Sequence, residues 1–360
     1  MTRQADFKRR VRERMAKTGE SYATARVHVL ADRPQAAAAL HVTNGDATVP
    51  GLLGTGLTET ILPWRDILHE GPVPDVPAAE LRRIRAAFLA RAYAEDVGTE
   101  AELAARDRTL AAGRGSEYVL WFEADLYDQL QLVQILATLH EQAVAAGRIT
   151  LICIGELPGI AHFGGLGELT SEQLGRLPVI AATPLTGAAL EHAARAWAAF
   201  RAPDPLGLGA IVATPSPELR FVGEAFDRLS REYPSRRDRL SLTERRILAA
   251  VAAGAPTAGD AFVRTGKREA RPFLGDTWCY DRMTGFTVAP MPLLEAEPAA
   301  TPVDRHSRLR LTEAGRRVLD GRADHVALNG VDRWIGGVHL RGRSVPWRWD
   351  DGTESIVVAA

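Results

Sequence analysis

The sequence predicts an α/β protein: a Rossmann-like domain with a mostly parallel sheet, then a helical segment, then a winged-helix-like C-terminal module. Three observations predict it. Between residues 38 and 160 short apolar runs alternate with stretches of helical periodicity, the pattern of parallel strands joined by right-handed crossovers. Amphipathic runs stopped by prolines fill residues 161–235. Beyond residue 236 a capped apolar helix, LSLTERRILAAVAAG, precedes the strand-then-helix phrase RLRLTEAGRRVLDG.

The composition agrees with a globular chain. With 360 residues there is length for two or three domains and sizeable cores, and 46% hydrophobic and 25% charged residues are ordinary globular values. The formal net charge of −1 excludes a chain built throughout as a polyanion binder, so nucleic-acid contact would need a local basic patch. Lysine occurs only at Lys8, Lys17 and Lys267; the preference for arginine, with the abundant alanine, reads as coding bias. Cys153 and Cys279 lie far apart with no zinc-ligand spacing, and Cys153 sits in the apolar run LICIG, where a buried thiol is expected. No apolar stretch reaches the ~20 residues that span a bilayer, and the charged N-terminus lacks the apolar region of a secretory signal. No membrane partner is expected, and a cytoplasmic location follows by elimination.

Taken in order, residues 1–37 form a basic helical unit with Phe7, Val11 and Met15 on one stripe, then Gly19 and a second helix, SYATARVHVLA, before Pro34. This unit is too small for a core of its own; it is a candidate basic arm, helical appendage or dimer contact, the last implying a homo-oligomer. In the α/β domain, residues 38–160, strands are expected at AALHVTN, LTETILPW, EYVLWFE and RITLICIGE. Helices are expected at 78–96, 99–112 and in ADLYDQLQLVQILATLHEQAVAAG, while RDILHEGPVP reads as a polar turn segment. Residues 161–235 read as mostly helical with loops, and residues 236–360 as the winged-helix-like module with a small Trp- and Gly-rich β tail.

In a parallel sheet, ligands bind at the carboxyl ends of the strands, near the switch in strand order. Asn44, Gly45 and Asp46 follow the first strand, Arg65, Asp66, His69 and Glu70 the second, Glu123, Asp125, Asp128 and Gln129 the third, and Glu156 the fourth. Clustered carboxylates become productive around a hard cation such as Mg²⁺ or Mn²⁺, or when one of them acts as a general acid with a raised pKa. Asp46 and Asp125 are the candidate metal ligands. Asp46, Asp66, His69 and Glu123 are the candidate catalytic groups, His69 as acid or base near neutral pH. Asn44, Gly45, Arg65, Glu70, Asp128 and Gln129 are candidate ligand contacts, with Arg65 suited to a phosphate or carboxylate. A phosphorylated small molecule or nucleotide would suit both the acidic set and the helix N-terminus after the Asn44-Gly45-Asp46 turn. Plainer roles stand beside these: Asp46 and Asp125 as helix caps, Asn44-Gly45 as a turn, His69 as a satisfied polar residue, Trp64 and Trp121 as core. There is no nucleophile elbow and no Walker loop, and GLLGTG at 51–56 lies past the strand-to-helix turn.

A second function is carried by residues 230–275, with ten Lys or Arg against five Asp or Glu. Arg264, Lys267, Arg268 and Arg271 precede the candidate recognition helix FLGDTWCYDRM, so a DNA-binding regulator is an alternative. The apolar character of that helix favours protein contact instead. A non-catalytic interaction protein is the third alternative.

The phrases HVTNGD…LPWRDILHEGPVP and VLWFEADLYDQLQLVQIL resemble the bacterial domain-of-unknown-function family numbered 1835. REYPSRRDRLSLTERRIL resembles the helical family of unknown function numbered 3658, its usual C-terminal companion, and the GGLGELTSEQL stretch belongs to the same match. The resemblance runs from about His41 to about Gly254 and implies no assigned function.

Overall fold

In a computed structural model, described for residues 3–22, 24–25, 39–93, 99–160, 163–297, 299 and 302–359, the protein is a mixed α/β structure around a five-stranded, mostly parallel sheet. The strands are β1 (Leu40–Thr43), β2 (Thr60–Pro63), β3 (Tyr118–Glu123), β4 (Ile149–Ile154) and β5 (Ala182–Pro184), in the order β2-β1-β3-β4-β5. The first four are parallel; β5 runs antiparallel along β4. Side chains alternate across a strand, and here both faces are covered, which is why the strands read as nearly continuous apolar runs. Tyr118, Leu120, Phe122, Ile149 and Leu151 enter one core, whereas Trp121, Ile152 and Ile154 enter a second core on the other face.

The first core is closed by α5 (Leu126–Glu141) and α7 (Gly187–Arg201), the second by α2 (Val49–Leu53) and α6 (Ser171–Ile180). Between β2 and β3 stand α3 (Ala78–Tyr93) and α4 (Glu100–Ala112). Helix α4 starts at a Thr99/Glu102 capping box and α6 at a Thr170/Gln173 box, each satisfying N–H groups that a helix end leaves unpaired. Before the sheet domain, α1 (Arg3–Thr18) packs Val11 and Met15 against Ala25. The helix expected at SYATARVHVLA, and the end of the one expected at 78–96, lie largely outside the described residues.

Strand β5 lies in a segment expected to be helices and loops. Its three residues, Ala-Thr-Pro, are too few to show a period of two, and only pairing with β4 makes them a strand. Further on come α8 (Leu208–Val212), α9 (Val222–Ser230), α10 (Leu242–Ala252), α11 (Ala258–Gly266) and α12 (Asp276–Val288). A ribbon of β6 (Leu294–Glu297) and β7 (Arg308–Leu311) follows, then α13 (Glu313–Leu319) and α14 (His325–Asn329). Helices α10 to α12, the ribbon and α13 share a separate core that includes Leu240, Ile247, Met283 and Leu309.

The tail does not belong to that core. Its hairpins, β8 (Val331–Ile335) with β9 (Val338–Gly342) and β10 (Trp347–Asp350) with β11 (Ser355–Val358), send Ile335, Leu340 and Trp349 into the first core of the sheet domain. The β8–β9 turn is Gly336-Gly337. Gly336 has φ +58°, Gly337 donates its N–H to the Phe200 carbonyl at 2.9 Å, and Val73 donates to the Gly336 carbonyl at 2.8 Å. A Cβ on Gly337 would lie 1.8 Å from the Arg201 carbonyl oxygen. Gly337→Ala is therefore expected to destabilise the protein by about 3 kcal/mol through forced separation of backbones; an unchanged denaturant midpoint would contradict this docking. No helix among the described residues is long and apolar enough to cross a membrane.

Candidate functional site

The strand order reverses direction between β1 and β3, and there a parallel sheet leaves a crevice at its carboxyl edge. Asn44 follows β1, Glu123 ends β3, and Asp125 and Asp128 open α5. Glu123, Asp125 and Asp128 each present a carboxylate oxygen, all within 4.8 Å of one another; Asp128 is buried and the other two are partly exposed. Asp125 caps α5, accepting from the Asp128 N–H at 3.1 Å. Asp128 accepts from the Glu123 N–H at 2.5 Å. Asn44 donates through Nδ2 to Glu123 Oε1 at 3.1 Å and to Asp128 Oδ1 at 2.7 Å, tying the two strands' ends together. Gln129 donates to the Glu123 carbonyl at 2.6 Å and so supports the group from behind.

Two glycines make this geometry possible. Gly45 takes φ +104° in the turn after Asn44. Gly165, at φ +134°, lets the 163–169 loop approach so closely that a Cβ would sit 2.8 Å from Glu123 Oε2, and the next residue, Leu166, donates its N–H to Glu123 Oε1 at 2.7 Å. The Leu166 N–H is a contact that reasoning on strand ends missed; the glycines of GGLGE were the only trace of it.

Burial and mutual repulsion act together on these acids. Burial pushes the Glu123 carboxyl above its ordinary value. Burial, and then the neighbouring Glu123, push Asp125 up to about 7. Burial, then Asp125 and Glu123, push the Asp128 carboxyl well above its ordinary value. Cys153 beside them is a buried thiol pushed up to about 12 by burial, which keeps it protonated and unreactive.

The other expected residues are placed differently. Asp46 is outside the carboxylate cluster: Arg65 holds it through two bonds of 2.7 Å, and both side chains are exposed. Each satisfies the other's charge, which corrects the expectations of Asp46 as metal ligand and Arg65 as anion contact. Asp46 is not the helix cap either, since α2 begins at Val49 after Thr48.

The expected polar turn RDILHEGPVP is exposed at Arg65 and then turns inward, with Asp66, Leu68, His69, Glu70 and Val73 buried. It crosses α5 from Trp64, whose indole donates to Gln134 at 2.9 Å, through the Asp66 carbonyl, bonded by Gln131, to His69 against Tyr127. Asp66 is buried and receives three bonds from Arg85, the shortest 2.6 Å. Glu70 is buried and paired with Arg282 at 2.6 Å and with Arg333 at 3.6 Å. Both are structural ion pairs, a correction to their candidate roles: a carboxylate inside the protein is tolerable when a guanidinium neutralises it.

His69 is likewise corrected. It lies edge-on to Tyr127 and Phe273 with neither ring nitrogen hydrogen-bonded, and burial pushes its pKa down to about 4, too low for acid–base work near neutrality. A histidine whose folded pKa lies below the unfolded ~6.5 stabilises fully above that value and loses the contribution as pH falls toward the folded value. The loss expected between pH 6.5 and 4 is about 3 kcal/mol. His69→Phe should remove it, seen as a flatter melting temperature across that window; an unchanged slope would overturn the assignment.

The basic residues before α12 also separate. Arg264 donates to the Ala253 carbonyl, while Lys267 and Arg268 are exposed. Arg271 instead turns toward the sheet domain, bonding Glu224 at 3.0 Å and the Gly155 carbonyl at 3.3 Å, which corrects its placement in a nucleic-acid surface. Helix α12 itself stacks Trp278 on Phe88 of α3 and sends Arg282 to Glu70, so this side of the expected recognition helix faces protein.

A cavity of about 620 Å³ is lined by Trp64, Gln134 and Trp197 with Arg82, Arg85, Arg106 and Arg201. Those guanidiniums already pair with Asp107, Asp66, Asp107 and Asp75 respectively, so the cavity offers a ligand no spare arginine charge. The strand-end cluster is the stronger candidate on chemistry. No family model matches the chain, and no curated protein matches it significantly.

Proposed function

We propose that the protein is an enzyme or ligand sensor that binds a phosphorylated small molecule or nucleotide together with a divalent cation, at the carboxyl ends of its parallel strands. One observation carries this reading: Glu123, Asp125 and Asp128 converge at the reversal of strand order. Three carboxylates with oxygens within 4.8 Å repel one another, and a hard cation of the Mg²⁺ or Mn²⁺ type converts that repulsion into binding. Glu123 and Asp125 are partly exposed and so can be reached from solvent, while Asp128 and Asn44 hold them in place.

In this reading the sheet domain is Rossmann-like. Helices α10 to α12 with the β6–β7 ribbon form a winged-helix-like module used for contact with the sheet domain, and the protein acts in the cytoplasm. The test is a Mn²⁺ titration of the full chain, with free ion followed by electron paramagnetic resonance. One saturable site and a melting temperature that rises with Mn²⁺ are expected. Absence of saturable binding would sink the reading.

A further inference from the structure

Beside the carboxylate cluster, past the carboxyl end of β4, lies a second cavity of about 350 Å³. Gln129 and Cys153, both bonded to the Glu123 carbonyl, form the wall toward the cluster. Leu157, Ile180 and Phe221 supply apolar surface, Ile180 being 61% exposed at the end of α6. Arg220 also lines the cavity. It is exposed, has no carboxylate within 4.0 Å among the described residues, and donates to the Cys153 carbonyl at 3.3 Å. Its guanidinium lies 4.6 Å from the centre of the Phe221 ring, and Arg271 lies 4.7 Å from the same centre.

Arg271 bonds the Gly155 carbonyl two residues further along. Gly155 is required there: a Cβ would meet Arg271 Nη1 at 2.2 Å and the Ala124 Cβ at 2.7 Å. The second guanidinium therefore sits against the chain that leads into Asp125. Arg220 is thus the cation held at the end of β4 without a carboxylate partner among the described residues, facing a cavity of mixed lining that also includes Glu156 and Glu218, while Arg271 beside it is paired with Glu224 at 3.0 Å.

That juxtaposition matches one kind of ligand. Phosphate oxygens bridge a carboxylate-bound divalent cation and a guanidinium, and the organic part needs an apolar recess next to them. The volume lies at the low end of ligand cavities, ~300–1,000 Å³, room for one ring system. We infer that this cavity is the ligand pocket of the site proposed above, and that it takes a phosphate monoester with a compact, ring-sized body. Arg220 holds the phosphate, and Ile180, Leu157 and Phe221 hold the body. This rests on the proposed cation site and goes beyond it by naming the ligand class and the pocket.

The experiment is calorimetric titration of the full chain with phenyl phosphate and with inorganic phosphate, each with and without Mn²⁺, beside a Mn²⁺ titration. Phenyl phosphate should bind more tightly than inorganic phosphate. Arg220→Ala should weaken phenyl phosphate by about ten- to a hundredfold, the value of a charge-assisted bond, and leave Mn²⁺ affinity unchanged. Ile180→Asn should weaken phenyl phosphate and leave inorganic phosphate as it was. Equal binding of phenyl phosphate by native protein and Arg220→Ala, or no binding of it under any condition, would overturn the pocket. If Mn²⁺ does not bind but Arg220→Ala still loses phenyl phosphate, the cation reading falls and the pocket stands.

Discussion

Replacing Glu232 by glutamine is expected to lower the stability of the protein by about 3–5 kcal/mol, although the change preserves volume, because it removes the charge and turns one accepting oxygen into an NH2 group that faces donors. Glu232 follows α9 and is buried where the sheet domain, the C-terminal module and the tail meet. It accepts from Arg333 of β8 at 2.7 Å, Arg228 of α9 at 2.8 Å and the Thr243 hydroxyl of α10 at 2.6 Å. Arg228 continues to Glu269 at 2.7 Å, and Arg333 faces Glu70, which also holds Arg282 of α12. Burial alone would push the Glu232 carboxyl up, but the Arg333 and Arg228 guanidiniums hold it well below the usual carboxylate range. Removing its charge leaves Arg333 buried with only the more distant Glu70 for compensation.

The pH dependence has a definite sign. A carboxyl whose folded pKa is depressed contributes its stability above the unfolded value of ~4.3 and loses it as pH falls. Glu70, lowered by Arg282 and Arg333 against its burial, adds to the same acid-side loss. Urea unfolding should show a lower midpoint with unchanged slope for Glu232→Gln. The double variant Glu232→Leu with Arg333→Met should recover much of the loss, because apolar packing replaces a buried pair more readily than one partner replaces itself. A loss below about 1 kcal/mol for Glu232→Gln, in the range of surface ion pairs, would show that the network does not hold the modules together.

Asp125→Asn is expected to move stability and cation binding in opposite directions. An asparagine oxygen can still accept the Asp128 N–H that Asp125 now caps, so α5 keeps its start. Without cation, relieving the burial and crowding that hold these carboxyls' pKa values up should stabilise the protein by about 1–2 kcal/mol, the usual size of a gain at a site kept for function. Mn²⁺ affinity should fall by more than the ~10–100-fold that losing a mere supporting contact costs. Melting temperatures with and without Mn²⁺ check both halves. A destabilised variant with native Mn²⁺ affinity would make Asp125 a cap and nothing more.

The sequence by itself determined the local half of this protein. Apolar runs such as YVLWFE and ITLICI are strands because both faces are covered, and Asp125 and Ser241 mark helix starts because their side chains satisfy free N–H groups. The rule that parallel strands deliver ligands at their carboxyl ends named Asn44, Glu123, Asp125 and Asp128 together with Asp46, Arg65, Asp66, His69 and Glu70, and the first four lie together in the structure. The tertiary structure decided the rest. Asp66, His69 and Glu70 have the same exposed-looking polar pattern as Asp125, but Arg85, Arg282 and Arg333 arrive from 19 to more than 200 residues away to neutralise the two acids inside the protein. Arg65 and Asp46 cancel each other past the ends of the neighbouring strands β2 and β1, a pairing that no local pattern records, and Arg271 turns from a basic cluster toward Glu224 and the end of β4. Spacing along a chain shows which residues reach the same edge. Which charges remain there unpaired depends on partners brought by the fold, because an ion's pairing is set by distance in space.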